Sequence, residues 1–191
     1  DDGNGGTVSD SFAIVVANVN DAPTVANAIA DQNATQDSAY SFQFASNSFA
    51  DVDGDSLTYS AQLTGGGALP AWLSFDAATR TFSGTPANGD VGTVNVTVTA
   101  DDGNGGTVSD SFAIVVANVE DEATGTLNVT GTAEEGGSLT ASLTGATDPD
   151  GAITGTAYQW QISSNGTDWT NISGATAATY NLASDQSQVG Q

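Results

Sequence analysis

The residues able to do chemistry in this sequence are carboxylates, and they cluster in turn-like strings. DVDGDS, ADDGNGG and TDPDG carry many of them, and VNDAP and VEDE carry more. Calcium takes about six to eight oxygen ligands from carboxylates, carbonyls and water, so these strings are candidate calcium sites. The candidate ligands are Asn20, Asp21, Asp51, Asp53, Asp55, Asp101, Asp102, Glu120, Asp121, Asp148 and Asp150.

The charge balance argues against two classes of binding partner. The chain of 191 residues has 23 Asp and Glu against one basic residue, Arg80, for a formal net charge of -22. Nucleic acids and anionic lipids are bound through Lys and Arg, so neither is expected as a partner. The longest apolar run, Phe112 to Ala117, is too short to span a bilayer, and no membrane insertion is expected.

The composition also argues against an enzyme, and we expect no catalytic residue. The chain has no His and no Cys, which removes the commonest catalytic base, thiolate nucleophiles and disulfides. Two of the carboxylates could form a glycosidase pair, but such pairs lie in a cleft with aromatic sugar platforms rather than in turns. DVDGDS resembles the first half of an EF-hand loop, yet Ser56 replaces the turn glycine and Gln62 the bidentate glutamate.

Alternating apolar and polar residues predict the strands that must position the carboxylates. The pattern occurs in AYSFQF, TVNVTVTA and SFAIVVANV, at residues 39–44, 93–100 and 111–119. Short strands separated by Gly, Asp and Asn turns predict an all-β protein built of antiparallel β-sandwiches. Trp72 and Trp160 are flanked by strand-like apolar residues and are expected in cores, which leaves Trp169 and Tyr40 as candidate exposed aromatics.

An internal repeat organises the chain, because residues 1–19 recur unchanged at 101–119. We interpret this repeat as a tandem array. Residues 1–20 are then the last strand of a preceding repeat, 21–120 a complete sandwich, and 121–191 a partial sandwich of another type whose closing strands would follow Gln191. A spare strand and an incomplete sandwich leave open edges, so strand exchange between copies is an open alternative.

The sandwich interpretation brings the carboxylates of different loops together. The loop after the second strand, the loop before the last strand and the incoming linker lie at one end of such a domain. That end would collect Asp21, Asp51, Asp53, Asp55, Asp101 and Asp102, and a smaller set at the second junction would comprise Glu120, Asp121, Asp148 and Asp150. The alternative is that Asp and Gly are there only because they favour turns.

Several strings carry a family resemblance. LPAWLSFD, TFSGTP, ADDGNGGTVSD and VNDAP resemble the dystroglycan-type cadherin-like modules, related to the putative Ig modules, that occur in tandem on large bacterial surface proteins. The resemblance covers about residues 21–120 and the leading strand. Residues 131–182 resemble another Ig-like repeat of very large RTX-type adhesins.

The resemblance implies tandem Ig/cadherin-like sandwiches, the second truncated, with calcium at the domain junctions. By position, Asn20 and Asp21 match the linker ligands, Asp51 and Asp53 the paired Asp, and Asp102 the acidic residue before the last hairpin. It further implies an extender of a bacterial cell-surface or secreted adhesin, whose partners are neighbouring repeats of the same polypeptide and a surface glycan or protein. A carbohydrate- or protein-binding module and an accessory domain of a secreted hydrolase are the alternatives.

Overall fold

The computed structural model describes residues 3–188 and 190, so Asp1, Asp2, Val189 and Gln191 of the predicted domains lie outside the described residues. The chain divides into two compact units, Asp1–Ala117 and Asn118–Gln191. The prediction of an all-β fold is confirmed, since the described residues form strands and two short 3-10 turns but no α-helix. No helix in this part of the chain is long and apolar enough to cross a membrane.

The first unit is a sandwich of two main sheets. Its strands are β1 Thr24–Val25, β2 Gln32–Thr35, β3 Tyr40–Gln43, β4 Phe49–Ala50, β5 Thr58–Leu63, β6 Leu73–Asp76, β7 Thr81–Gly84, β8 Gly92–Asp101 and β9 Thr107–Ala117. A four-stranded sheet has the order β2-β9-β8-β5, a three-stranded sheet has the order β3-β7-β6, and β1 pairs with β4.

The predicted alternation produces the core of this unit. Phe112, Ile114 and Val116 of β9 are buried, as are Val96 and Val98 of β8, while their sequence neighbours are more exposed. Across the sandwich, the ring of Phe82 on β7 meets that of Phe112 edge-on at a centroid distance of 5.5 Å. The β8–β9 hairpin is antiparallel throughout its register, from Gly92 opposite Val116 to Asp101 opposite Thr107.

One strand pair departs from the antiparallel expectation. β2 runs parallel to β9, with Gln32 opposite Ile114 and Thr35 opposite Ala117. Asp31 and Asp110 fix the start of this pair, since Asp31 accepts the N–H of Ala113 at 2.7 Å and Asp110 accepts the N–H of Ile29 at 2.6 Å. QNAT, the sequence of β2, has no alternating apolar residues, which is why the sequence did not predict the pair.

The segment that precedes β1 differs in secondary structure and exposure from its copy in β9. The described residues before Thr24 contain no strand, although residues 7–17 have the sequence of β9. Phe12, Ile14 and Val16 of this segment are exposed, whereas their counterparts Phe112, Ile114 and Val116 in β9 are part of the core. Whether the segment belongs to a preceding repeat stays a prediction.

The second unit is a smaller arrangement of strands. Its strands are β10 Thr124–Gly131, β11 Ser138–Thr147, β12 Gln161–Ile162, β13 Thr170–Asn171 and β14 Thr179–Asn181. The three-stranded sheet has the order β10-β11-β14, and β12 and β13 form a two-residue pair that encloses the NGTDW turn. The alternating string TAYQWQIS contributes only β12.

The aromatic side chains are distributed between cores and surface. Trp72 packs against the core of the first unit, as expected, and its ring lies 6.1 Å from that of Tyr40. Trp160 is half-buried beside Tyr180, at a centroid distance of 5.7 Å. The expectation that Tyr40 is an exposed aromatic is wrong, because it is only 8% exposed, whereas Trp169 is 58% exposed.

Candidate metal centres

The first candidate centre is built on the loop between β4 and β5. Asp51, Asp53 and Asp55 each present a carboxylate oxygen, and the three oxygens lie within 4.8 Å of one another. The loop folds on the first of these residues, because Oδ1 of Asp51 accepts the N–H of Asp53 at 2.9 Å. Gly54 has a φ of +78°, a left-handed conformation that glycine adopts without strain and that turns Asp55 back toward the other two.

The linker before β1 binds the middle carboxylate of this loop. The backbone N–H of Asp21 donates to Oδ2 of Asp53 at 2.7 Å, and Nδ2 of Asn18 donates to Oδ1 at 2.9 Å. These two hydrogen bonds, that from Asp21 first, hold the pKa of Asp53 below its usual value. Asp53 is therefore ionised at neutral pH.

The β8–β9 turn brings a further carboxylate to the linker. Asp102 is 5% exposed, and its Oδ2 accepts Nδ2 of Asn20 at 3.0 Å. Its Oδ1 accepts the N–H groups of Asn104 at 2.7 Å and of Gly106 at 2.9 Å. The hydrogen bond from Asn20 is the largest cause of the lowered pKa of Asp102.

Glycine is required where the turn meets the linker. A Cβ atom on Gly106 would lie 2.3 Å from Oδ2 of Asp102 and 2.7 Å from Cα of Ala22. Any other residue would push the linker away from Asp102, so the last glycine of DDGNGG is a packing requirement.

These contacts join the three predicted segments. Nδ2 of Asn104, in the β8–β9 turn, donates to Oδ2 of Asp55 at 2.8 Å, which ties that turn to the β4–β5 loop. The negative charge of Asp102 acts in the opposite direction and offsets a small part of the lowering of the pKa of Asp53. Asp101 instead accepts the N–H of Gly103 at 2.7 Å within its own turn, and Asp21 contributes its backbone to Asp53.

The electrostatics of this cluster favour a cation. With one basic residue in the whole chain, side chains cannot neutralise so many carboxylates. Oδ2 of Asp51 is buried and makes no hydrogen bond to any described residue. A buried carboxylate oxygen without a partner pays its full desolvation cost, and a bound cation removes that cost. The donor set, all oxygen, fits calcium.

Two asparagines of the cluster were not predicted from the sequence. Asn18 and Asn104 donate their side-chain N–H groups to Asp53 and Asp55, as the predicted Asn20 does to Asp102. A half-turn of each amide replaces the nitrogen with an oxygen, which is a calcium ligand. The only signal was their spacing, Asn18 two residues before Asn20 and Asn104 two after Asp102.

The second unit repeats this arrangement on a smaller scale. Oδ1 of Asp148 accepts the N–H of Asp150 at 2.9 Å, and Oδ2 of Asp150 accepts the N–H of Asp121. Oδ1 of Asp150 is buried and, among the described residues, has no hydrogen-bond partner. Glu120 is exposed on the same linker. An Asp-x-Asp turn capped by the N–H of a preceding linker Asp thus occurs in both units.

The fold and these turns define the class as an all-β Ig-like sandwich. Residues 22–117 match the family described as "Putative Ig domain", and the chain belongs to that family. Residues 121–188 match a family described as a domain of unknown function. No curated protein matches the chain.

Solved structures that align with this chain include a human ectodomain, a set of extracellular cadherin domains and a hydrolase. Human desmocollin-1 ectodomain aligns at 17% identity over 90% of this chain and 32% of that one, with a TM-score of 0.38. Protocadherin gamma B2 domains 3–6 align at 12% identity over 85% and 38%, with a TM-score of 0.45. An endo-fucoidan hydrolase of glycoside hydrolase family 107 aligns at 18% identity over 66% and 27%, with a TM-score of 0.44. The chain therefore spans less than two-fifths of each of these structures.

Proposed function

We propose that this chain is a calcium-binding extender of an extracellular, bacterial cell-surface adhesin, stiffened by calcium where one domain follows another. The observation that carries the proposal is the Asp-x-Asp turn shared by both units, each with one buried carboxylate oxygen that lacks a partner among the described residues. The two units match different families, and the same turn occurs in both.

In the first unit, the residues that would hold calcium are Asp51, Asp53, Asp55 and Asp102, with the amide oxygens of Asn18, Asn20 and Asn104 available after rotation. In the second unit they are Asp148 and Asp150, with Glu120 and Asp121 of the linker. Asp101, whose carboxylate caps its own turn, is a weaker candidate.

The proposed mechanism is electrostatic. Without the ion, the carboxylates of the linker and the two loops repel one another, and three amide N–H groups offset only part of that repulsion. Extracellular calcium modules have dissociation constants of about 0.1–1 mM. At a calcium concentration of 100 times the dissociation constant, each site adds about 2.7 kcal/mol to the free energy of unfolding.

A role as spacer accords with the composition of the chain. An Ig-like fold without His or Cys gives no support to catalysis, and the proposed partners are neighbouring repeats of the same polypeptide. The high negative charge argues against nucleic acid and anionic membranes as partners. The extracellular placement follows from the proposed dependence on millimolar calcium, which the cytoplasm does not supply.

The test is a thermal melt in EDTA and across a calcium titration, with magnesium as the control ion. We expect calcium at saturation to raise the melting temperature of the first unit by roughly 10–20 °C. Magnesium, which needs near-octahedral geometry and dehydrates reluctantly, should have little effect. An unchanged melting temperature would mean that the clusters are solvated turns.

Matched variants distinguish the loss of calcium binding from a general effect of removing negative charge. Asp51→Asn with Asp53→Asn should abolish the calcium response. Asp37→Asn removes a carboxylate outside the cluster, at a φ of +56° that Asn tolerates as well as Asp, and should leave the response intact. Equal responses of the cluster variant and the wild type would refute the site.

A second candidate function rests on Trp169. Its side chain is 58% exposed and lines a groove with Trp160 and Tyr158, which is how proteins present aromatic platforms to sugars. A carbohydrate- or protein-binding module, or an accessory domain of a secreted hydrolase, would use such a surface. Saturable binding on a glycan array that is lost in Trp169→Ala would favour this function over a pure spacer.

A further inference from the structure

Asparagine is followed by glycine at three positions after the start of β1, at Asn88, Asn104 and Asn165. In such a pair the backbone nitrogen of the glycine can attack the side-chain Cγ of the asparagine, because glycine has no Cβ to hinder the approach. Hydrogen bonds that hold the side-chain amide or fix the backbone around it oppose this reaction. The contacts of each amide therefore decide which asparagine reacts.

The amide of Asn165 is held on both of its polar atoms within its own turn. Its Oδ1 accepts the N–H groups of Thr167 and Asp168, each at 2.9 Å, and its Nδ2 donates to Oδ2 of Asp168 at 2.6 Å. The attacking nitrogen is held as well, since the N–H of Gly166 donates to Oγ of Ser163 at 2.9 Å. Several hydrogen bonds must therefore break before Asn165 can react.

The backbone around Asn88 is fixed by a short 3-10 turn, Asn88–Asp90. The N–H of Asp90 donates to the carbonyl oxygen of Ala87 at 2.8 Å, and the N–H of Val91 donates to that of Asn88 at 3.2 Å. Oδ2 of Asp90 also accepts the N–H of Ala87 at 2.9 Å, which closes the turn from its other side. The bond between Asn88 and Gly89 thus lies inside a closed turn.

The amide of Asn104 is held by one contact with a different loop. Its Nδ2 donates to Oδ2 of Asp55 at 2.8 Å, and its Oδ1 accepts no hydrogen bond from any described residue. The glycines on either side, Gly103 and Gly105, have φ values of +75° and +105°. The hydrogen bond from Gly105 makes the smallest of the contributions that lower the pKa of Asp102, so this nitrogen is weakly held. Opening the bond to Asp55 therefore frees the amide to turn toward Gly105.

We propose that Asn104 is a site of spontaneous deamidation, restrained by its hydrogen bond to Asp55. The backbone nitrogen of Gly105 attacks Cγ of Asn104 and closes a succinimide ring. The bond from Cγ to Nδ2 breaks, and Nδ2 leaves as ammonia with the proton that the Gly105 nitrogen gives up. Water then adds to one of the two imide carbonyls. Opening at Cγ gives aspartate at position 104, and opening at the backbone carbonyl gives isoaspartate.

The reaction changes the first candidate metal centre. The aspartate product replaces the N–H donor that faces Asp55 with a second carboxylate, and two carboxylates at this distance repel each other unless a cation lies between them. The product also offers a charged oxygen ligand where Asn104 offers an amide. Deamidation therefore makes the β4–β5 loop and the β8–β9 turn more dependent on a bound ion. This consequence rests on the proposed calcium binding, whereas the reaction at Asn104 does not.

Peptide mapping by mass spectrometry tests the reaction. The full chain is incubated in EDTA at mildly alkaline pH, below its melting temperature, and the conversion of each asparagine is followed with time. We expect Asn104 to convert about tenfold faster than Asn165, whose amide makes two more hydrogen bonds. Asn104→Gln, whose longer side chain closes an imide ring much more slowly, should abolish conversion at this position. Conversion of Asn104 no faster than that of Asn165 overturns the proposal.

Variants of Asp55 test the restraint. Asp55→Ala removes the acceptor of the Asn104 amide and should speed conversion of Asn104 by about tenfold. Asp55→Asn keeps a weaker, neutral acceptor and should speed it less. Asn88 lies in the same unit and reports unfolding, so its rate should stay unchanged in both variants. An unchanged rate at Asn104, or equal acceleration at Asn88 in Asp55→Asn, refutes the restraint by Asp55.

Melting temperatures measure the effect of the product. Asn104→Asp should melt at a lower temperature than the wild type in EDTA, because its new carboxylate faces Asp55, and calcium should recover the difference. Asn33→Asp adds the same charge on β2, outside the cluster, and should show neither effect. Equal melting temperatures of these two variants in EDTA would contradict the proposed position of the product carboxylate.

A calcium arm separates this proposal from the proposed function. Calcium at saturation should slow the conversion of Asn104, because Asp55 and the amide oxygen of Asn104 are then both held by the ion, and it should leave the rate at Asn88 unchanged. Fast conversion of Asn104 that calcium does not slow supports the deamidation and counts against the calcium site. Slow conversion of Asn104 in EDTA, together with a calcium-dependent melting temperature, overturns the deamidation and leaves the calcium site standing.

Discussion

The backbone N–H of Asp21 donates a 2.7 Å hydrogen bond to Oδ2 of Asp53, which lies 32 residues further along the chain. The bond joins the linker to the β4–β5 loop without using the Asp21 carboxylate. The same bond joins Asp121 to Asp150 in the second unit, across 29 residues. The linker backbone is thus part of each cluster, and its position is coupled to whatever the cluster binds.

The two clusters should bind calcium independently. Asp53→Asn is expected to remove the sites of the first unit and Asp150→Asn those of the second, because each residue accepts the linker N–H of its own unit. Isothermal titration calorimetry should show a reduced calcium stoichiometry in each single variant. The double variant should bind no calcium, and an unchanged stoichiometry in both single variants would contradict the assignment.

Asn20→Asp should have effects of opposite sign with and without calcium. In EDTA, the new carboxylate faces Asp102 in place of an N–H donor, and we expect a loss of roughly 1 kcal/mol in the free energy of unfolding. In calcium, the added carboxylate is a stronger ligand than an amide, so the calcium-induced rise in melting temperature should increase.

Asn33→Asp is the matched control for that change. Asn33 is exposed on β2, and its replacement by Asp adds the same charge outside the cluster. Chemical denaturation in EDTA and in calcium measures both effects. A variant Asn20→Asp that is destabilised equally in the two conditions would argue against Asn20 as a ligand.

The duplicated sequence allows the same substitution to be compared at a buried and at an exposed position. Phe112→Ala should lower the free energy of unfolding of the first unit by about 3–5 kcal/mol, because it leaves a cavity beside Phe82 and Phe42. Phe12→Ala, in the same sequence context but exposed, should change it by about 0.5 kcal/mol or less. Urea denaturation of dilute samples measures both, and a large effect of Phe12→Ala would show that the segment is buried in solution.

Tyr40 should make the first unit sensitive to alkaline pH. Burial raises the pKa of Tyr40 to about 12, above its unfolded value of about 10. The stability is therefore complete below about pH 10 and falls as the pH rises toward about 12, because unfolding then favours ionisation.

Tyr40→Phe should remove this alkaline loss. The hydroxyl is buried without a partner among the described residues, so its removal should leave the stability at pH 7 unchanged or raise it by about 1 kcal/mol. Thermal melts at pH 7 and at high pH measure both effects. A variant as alkali-sensitive as the wild type would assign the loss to another group.

Sequence patterns predicted the hairpin and the core but not every pairing. Alternation in β8 and β9 identified the buried Val96, Val98, Phe112 and Ile114, because a strand with one face in a core must alternate. β2 has one buried apolar residue, Ala34, and the hydrogen bonds of Asp31 and Asp110 position it, so its pairing depends on long-range contacts that local periodicity does not encode.

The candidate site was predictable to a similar degree. Asp51, Asp53 and Asp55 share one loop, and their proximity follows from their spacing. Asn18 and Asn104 join the cluster only because the linker and the β8–β9 turn pack together, at a distance allowed by Gly106. Asp101 was grouped with them on its position in the turn, yet its carboxylate caps that turn.

The parallel pairing of β2 with β9 has a mechanical consequence. When the first unit is pulled through its two ends, β2 is drawn one way by its amino-terminal side and β9 the other way by its carboxyl-terminal side. The load then acts along the strands, in shear, across the four residue pairs from Gln32–Ile114 to Thr35–Ala117. These pairs must break together rather than one after another, so this strand pair resists forced separation of the two ends.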